Sequence, residues 1–413
     1  MLKFIFTTAL VFSSLLSFGQ TEIKTMFYNL LEFPEALPQN REAILKDILN
    51  EYNPDVFMIC ELQSQEGADL ILNSSLNDED SDFAAAPYFE NQSSGADLQQ
   101  LLFYRKNMFT LENTAIITTP VRDINRYDLK LSTLDGDTDP VIINTYVTHL
   151  KSSQGSANQT LRLEMVQEFT EDIESLDPNA FVLFAGDFNL YTSTEPAYGA
   201  LLNPTNNVVM VDPIDTPGSW NNNEDFAGIH TQSTRISSSG FGAGAGGGLD
   251  DRFDFILMSQ SMQTNPTLRY VEGTYKSFGN NANCYNNRID AFECDGEFSL
   301  QLRSSLYNMS DHLPVVMSLE TNKEIVILNT PVNEVATNFI LKSTIVSEIL
   351  EIETLGDTDI TFSIYNTLGQ KITETSNKNQ TTTVINIAHL PQGVYYLTNN
   401  QSSTQTIKFL KTF

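Results

Sequence analysis

The sequence predicts a layered α/β domain followed by a small all-β sandwich. Three observations carry this. Short β-type runs alternate with helical stretches through the first three quarters of the chain. Polar residues follow the ends of several of those runs, and from Lys323 onward the pattern changes to short Thr-, Ile- and Asn-rich strands. A chain of 413 residues is long enough for two folded units. Its 41% hydrophobic and 18% charged residues are ordinary for a protein that buries a sizeable core.

Residues 1–19 read as an export signal. Met1 and Lys3 form a short positive segment, and Phe4 to Leu16 is apolar apart from hydroxyl residues. Ser17 and Gly19 are the small residues that precede a cut before Gln20. The apolar run is shorter than the ~20 residues that a membrane span needs. No later stretch is longer, so the mature protein is expected to be soluble, exported and monomeric.

Residues 20–322 are expected to form the catalytic domain. IKTMFYNLLEF is strand-like, and NREAILKDILNEY has helical apolar spacing that stops before Asn53-Pro54. PDVFMICEL is a near-continuous apolar run, as in a strand buried on both faces. LQQLLFYRK, ENTAIITTPV, DLKLSTL and PVIINTYVTHL read as further strands. SANQTLRLEMVQEFTEDIESL is a long amphipathic helix, and AFVLFAGDFNL is a strand with a polar tip. RFDFILMS and HLPVVMSLE close the domain as two more strands. This mixture indicates a layered α/β arrangement. SGFGAGAGGGL, at 239–249, lacks the Lys-Ser/Thr ending of a phosphate-binding loop and no helix follows it. It is expected to be a mobile surface loop, at most a border of the substrate cleft.

Residues 323–413 contain ILEIETL, ITFSIYN, QKITET, TVINIA, GVYYLTN and TIKFLK, separated by turn signals. That spacing indicates a β-sandwich. Export permits disulfides. Cys284 and Cys294 share one polar segment and are expected to pair, whereas Cys60, inside DVFMIC, is expected to be a buried thiol.

The net charge is −29, from 23 Lys+Arg against 52 Asp+Glu. Such a balance counts against a stoichiometric nucleic-acid binder. An enzyme that must release its substrate tolerates it.

Candidate chemistry lies at strand ends. Glu61 ends DVFMICEL, Asp187 and Asn189 end FVLFAGDFN, Asp254 lies inside RFDFIL, and Asp311-His312 opens HLPVVM. Ligand sites in layered α/β domains form where such ends converge. Alone, each has a structural explanation: a helix cap for Glu61, an Asx turn for Asp187, a solvated loop for Asp311. A charge inside an apolar strand, such as Asp254, is rarely buried unless paired. The set fits phosphodiester hydrolysis. Hard oxygen ligands suit Mg²⁺, with Mn²⁺ or Ca²⁺ as substitutes, and Glu61 is the first candidate, with an amide oxygen from Asn29 nearby. His312 is suited to take a proton from water, with Asp254 behind it to fix its tautomer.

The ordered series YNLLEF, PDVFMICEL, TYVTHLKSS, AGDFN, RFDFILMS and SDHLPVVM resembles the endonuclease/exonuclease/phosphatase superfamily, the deoxyribonuclease I-like fold, over roughly residues 22–320. The resemblance implies a four-layer α/β/β/α sandwich and a metal-dependent phosphoester hydrolase. It implies metal-site roles for Asn29, Glu61 and Asp311. It places His149 on the scissile phosphate or the leaving group, and Asp187 with Asn189 on the attacking water and the phosphate. Asp254 would buttress His312, the catalytic histidine. The second motif departs from the family pattern, reading Cys60-Glu61-Leu62-Gln63, and Asp97 is the only candidate acidic partner for His149. The C-terminal segments ITFSIYNTLGQKI, INIAHLPQGVYYL and TIKFLKTF resemble the type A sorting domain of the type IX secretion system. That implies passage across the outer membrane by the type IX machinery, to the cell surface or beyond.

The expected function is an extracellular nuclease acting on DNA or RNA. The alternatives are a sphingomyelinase-type phospholipid phosphodiesterase or another phosphoesterase, and a non-catalytic surface protein. The sphingomyelinase reading wants an exposed apolar hairpin, for which the lone Trp220 is the only tryptophan on offer.

Overall fold

The computed structural model describes residues 21–78, 82–93, 98–326, 339–354, 360–377, 381–399 and 406–413. The export segment 1–19 and Asp97 lie outside the described residues. The chain divides into two compact units, Met1–Ile327 and Leu328–Phe413. Residues 323–326 stay with the first: Ile325 bridges Thr133, and Lys323 Nζ pairs with Asp135 at 2.6 Å.

Two β-sheets form the middle of the first unit. One runs Arg269–Tyr270, Val315–Thr321, Thr21–Phe33, Val56–Leu62, Gln99–Arg105, Phe83–Ala85, with Lys276–Ser277 also on Val315–Thr321. The other runs Phe109–Ile117, Ile124–Leu131, Ile142–His149, Phe181–Asp187, Asp254–Ser259, Met210–Val211. Within each sheet one central pair is parallel, Thr21–Phe33 with Val56–Leu62 and Ile142–His149 with Phe181–Asp187. Val56–Leu62 and Phe181–Asp187 are near-continuous apolar runs because both of their faces are covered.

Side-chain alternation along a strand separates the layers. Val182 and Phe184 pack with Met165, Val166, Phe169 and Ile173 of the helix Ser156–Ile173, and the Phe169 and Phe184 rings stack with centroids 4.0 Å apart. Leu183 and Ala185 point the other way, into a larger core shared with Phe27, Met58 and Met317 of the first sheet. Leu45, Ile48 and Leu49 of the helix Arg41–Tyr52, and Leu302 and Leu306 of Leu300–Met309, join that core from beyond the first sheet. The order is helix, sheet, sheet, helix: a four-layer α/β sandwich.

Local chemistry sets the element ends. Asn53 terminates the first helix in the left-handed conformation, its N–H bonded to Leu49 O, before Pro54. Ser299 caps Leu300–Met309 by accepting from Leu302 N–H. This helix and the short Gln65–Leu70, Ile71–Leu76 and Pro196–Leu201 carry too few turns to show a period in the sequence. At Gly186 a Cβ would lie 2.4 Å from Thr148 O, so only glycine permits the strand pairing that sets His149 beside Asp187. Cys284 and Cys294 are disulfide-bonded, and Cys60 is a buried free thiol.

The second unit places Phe339–Leu341, Ile349–Thr354 and Thr382–Asn386 in one sheet. The other holds Ile345–Val346, Thr406–Lys411, Gly393–Asn399, Ile360–Asn366 and Lys371–Asn377. Leu350, Ile352 and Ile385 of the first sheet share a core with Phe362, Ile364, Leu397 and Phe409 of the second. Tyr395 is buried and stacked on Phe409.

The loop after His149 is held from below by a buried ion pair. Arg162 Nη2 lies 2.7 Å from Glu195 Oε2, and its Nη1 donates to Lys151 O at 2.8 Å and Ser153 O at 3.0 Å. Arg162→Met leaves Glu195 as a buried, uncompensated charge. It should cost about 3–5 kcal/mol, read as a lower urea midpoint at unchanged slope.

Candidate functional site

Strand ends from both sheets meet at one edge of the sandwich. Thr21–Phe33 brings Asn29 and Val56–Leu62 brings Glu61; Ile142–His149 and Phe181–Asp187 end on His149 and Asp187, and Asp254 opens its strand. Register fixes the second group, because Asp187 pairs with His149 on one side and with Asp254 on the other. Asp311 and His312 precede Val315–Thr321, and His312 forms a bridge with Gln232.

The first two strands break register at the site, between Asn29 and Phe33 and between Ile59 and Leu62. Leu31, Glu32 and Glu61 have φ of 45°, 43° and 60°. Left-handed backbone at a non-glycine residue is strained and collects at functional sites, and a bulge re-aims a side chain. Here it turns Glu61 toward the other sheet. Asn189, at φ 52°, closes an Asx turn in which its N–H donates to Asp187 Oδ1 at 3.0 Å.

Asn29 is the hub of the site. Its Nδ2 donates to Glu61 Oε1 at 2.9 Å and to Asp187 Oδ2 at 3.1 Å. Its Oδ1 accepts from Leu31 N–H at 3.0 Å, so the nitrogen, and not the oxygen expected from the sequence, faces the carboxylates. His312 Nδ1 and Asp254 Oδ2 are 2.7 Å apart. On the other side of the ring, Gln232 Nε2 lies 2.6 Å from His312 Nε2 and donates to Asp311 Oδ2 at 3.1 Å. Ser310 ties this segment to the first strand: its hydroxyl donates to Asn29 O at 2.7 Å and accepts from His312 N–H at 3.1 Å. His149 Nε2 is 3.5 Å from Asp187 Oδ2, and its Nδ1 is 3.9 Å from Glu61 Oε1.

Burial raises the pKa of Glu61, and repulsion from Asp311 adds to it, against the pull of His312 and the Asn29 hydrogen bond. Burial raises Asp187 as well, with Asp254 and Glu61 adding to it and His312 opposing. Burial works to deprotonate His312, but the Asp254, Asp311 and Asp187 carboxylates outweigh it and its pKa ends well above the ordinary histidine value. His149 goes the other way. Burial, aided by the charges of Arg122, His312 and Lys151, holds it well below that value, so it is neutral at neutral pH.

The residues present fit a divalent cation. Asp311 Oδ1 is buried with no hydrogen-bond partner. Ligand atoms of Glu61, His149 and Asp187 lie within 4.8 Å of one another, as do those of Asp187, Asp254 and His312. Among the described residues no Lys or Arg forms an ion pair with Glu61, Asp187 or Asp311; Glu61 and Asp187 have histidines within 4 Å. A buried carboxylate cluster of this kind needs a positive charge or protons to persist.

All eight residues singled out in the sequence meet here. Six of them, Glu61, His149, Asp187, Asn189, Asp311 and His312, line a cleft of about 310 Å³ together with Arg122, Ser152, Gln232, Gly244 and Ala245. Of these, Arg122, Ser152 and Gln232 gave no signal in the sequence. Gln232 is one amide in the polar run HTQSTR, and Arg122 follows a Pro-Val turn. Arg122 Nη1 donates to His149 O and Leu150 O, at 3.3 and 3.2 Å, and so anchors the end of the His149 strand. The glycine-rich loop borders the cleft through Gly244 and Ala245.

Residues 346–411 match the family described as Secretion system C-terminal sorting domain. No curated protein matches the chain. Among solved structures it is similar to an endonuclease/exonuclease/phosphatase family protein from Bacteroides thetaiotaomicron, at 16% identity and a TM-score of 0.46, covering 74% of this chain and 97% of that one. D. rerio TDP2 complexed with a single-strand DNA product is similar at 15% identity and TM-score 0.48, covering 73% and 100%. The human Nocturnin catalytic domain, with a bound sulfate anion, is similar at 15% and 0.45, covering 73% and 97%.

Glu61, Asp187 and His312 all have folded pKa values above their ordinary ones. Each therefore stabilises the fold at low pH and loses that contribution as pH rises through its folded value. His149, with its lowered value, acts oppositely, but only below its ordinary pKa of about 6.5. Between pH about 6.5 and 8, the EDTA-treated protein should lose thermal stability as pH rises. Asp187→Asn should flatten that slope in melts across the same range.

Proposed function

We propose that this protein is an exported, divalent-metal-dependent phosphoester hydrolase, acting on the phosphodiester bonds of DNA or RNA. One observation carries the reading. A buried His312–Asp254 pair at 2.7 Å faces the same cleft as three carboxylates, Glu61, Asp187 and Asp311, none of which forms an ion pair with a Lys or Arg among the described residues. The expected metal is Mg²⁺, with Mn²⁺ or Ca²⁺ as substitutes, held by Glu61 and Asp311. When bound it would neutralise charge on the phosphoryl and leaving oxygens, and offset the carboxylate charge that keeps a proton on His312.

The chain's own groups supply the rest. Asp254 fixes the His312 tautomer with the proton on Nδ1, which leaves Nε2 to take a proton from the attacking water. Asp187 and Asn189 border the cleft where that water and the phosphoryl group sit. Asn29 acts as a positioning residue, holding Glu61 and Asp187 from one amide. Neutral His149 has an unpartnered buried Nδ1, which suits it to donate a hydrogen bond to a phosphoryl oxygen. The guanidinium of Arg122 lines the same cleft and offsets part of the substrate's charge.

The four-layer fold and the motif series support this reading. The sorting-domain match supports export through the type IX machinery to the cell surface or the medium. The sphingomyelinase reading loses its candidate membrane contact, because Trp220 is fully buried with its Nε1 donating to Thr216 O at 2.8 Å.

Purified protein incubated with plasmid DNA should cleave it with Mg²⁺ or Mn²⁺ and not with EDTA. DNA and RNA left intact across metals and salts would reject the nuclease assignment. His312→Ala should lower turnover about 10²–10⁴-fold, with unchanged circular dichroism. Wild-type turnover in that variant would remove His312 from the mechanism.

A further inference from the structure

The glycine-rich segment 239–249 is the one sequence motif that the catalytic reading leaves without a task, and it touches the site at a single carboxylate. Ala245 N–H donates to Asp311 Oδ2 at 2.6 Å. One residue earlier, Gly244 packs so closely on the same side chain that a Cβ would lie 3.0 Å from Asp311 Cγ and 3.0 Å from Leu31 Cδ2, at φ +88°. Gln232 Nε2 is the second donor to Oδ2. Oδ1, by contrast, is buried and has no donor. The two oxygens of Asp311 are thus unequal: one is saturated by the protein and the other is left free.

The loop is itself anchored. Phe241 lies over the buried Arg235 guanidinium, 3.6 Å from ring centroid to Cζ, and makes an edge contact with Tyr307. Its carbonyl accepts from Leu37 N–H at 3.1 Å. Arg235 Nε donates to Tyr307 O at 3.0 Å, and Ser233 Oγ donates to Ala245 O at 3.0 Å. Fixed points therefore stand on both sides of Gly244, at Phe241 and at Ala245.

We propose that the glycine-rich loop is a positioning wall of the cation site, in which Gly244 and Ala245 clamp Asp311 so that Oδ1 is the oxygen it presents to the metal. The inference rests on the reading of Asp311 as a metal ligand. The run needs glycine here for a physical reason. Any side chain at position 244 would enter the space that Asp311 occupies, and the φ excludes all but a residue tolerant of the left-handed region. Groups that orient a metal ligand typically change affinity 10- to 100-fold when altered.

The test compares Mn²⁺ binding, by calorimetry and by the electron paramagnetic resonance signal of free Mn²⁺, in wild type, Gly244→Ala and Gly242→Ala. Gly242 shares the loop and a left-handed φ of +78°, yet a Cβ there meets nothing within 4 Å. Its variant therefore carries the backbone strain without the contact. Gly244→Ala should bind Mn²⁺ about 10- to 100-fold more weakly, with Gly242→Ala close to wild type and both variants folded in metal-free melts, each with a lowered midpoint from the left-handed backbone strain. Equal affinity in Gly244→Ala and wild type overturns the clamp. Equal weakening in both variants also overturns it, since loop strain alone would then be the cause. Absence of Mn²⁺ binding by wild type would overturn the metal site itself, and the clamp with it; that result is distinguishable from the other two.

Discussion

The site depends on one constraint: acidic side chains from two different sheets are brought within hydrogen-bond reach of a single buried amide. Asn29 donates to Glu61 of its own sheet and to Asp187 of the other, so one side chain sets the distance between the sheet edges. The carboxylates it gathers repel one another and are out of water, which raises their pKa values. That energetic cost is borne by the two packed cores beneath, where Phe184, Phe169, Phe57 and Met317 are wholly buried. Catalytic sites are commonly built this way, strained and charged on a scaffold that tolerates it.

The same electrostatics separates the two histidines. They lie on either side of Asp187, His149 at 3.5 Å and His312 at 3.7 Å, and both are buried. His312 has a hydrogen-bonded carboxylate on Nδ1 and keeps its proton; His149 has the Arg122 and Lys151 charges nearby and loses it. Two identical side chains thus receive opposite protonation states from their surroundings.

The overall charge of −29 would repel the polyanionic substrate proposed above. The cleft resolves this locally, since Arg122 lines it beside the carboxylates that a divalent ion would neutralise. Long-range attraction of the kind used by high-affinity nucleic-acid binders is missing from the charge balance, which suits an enzyme that meets its substrate and lets it go.

The sequence by itself determined much of this protein. The apolar runs located the central strands, because buried parallel strands admit little but apolar residues, and the change of pattern near Lys323 marked the second unit. Of the polar residues, Asp254 was legible because a charge inside an apolar run needs a reason; the others were singled out by their place at strand ends and by the ordered motif series. Other features were decided only by the tertiary structure. Gln232, Arg122 and the Gly244–Ala245 clamp sit in polar loops with no period. The orientation of Asn29 followed from its oxygen being taken by Leu31 N–H. Loop residues acquire a role through what they face, and that is fixed by the packing of elements far apart in the chain: Asp311 meets Ala245 across 66 residues, and Asn29 meets Ser310 across 281.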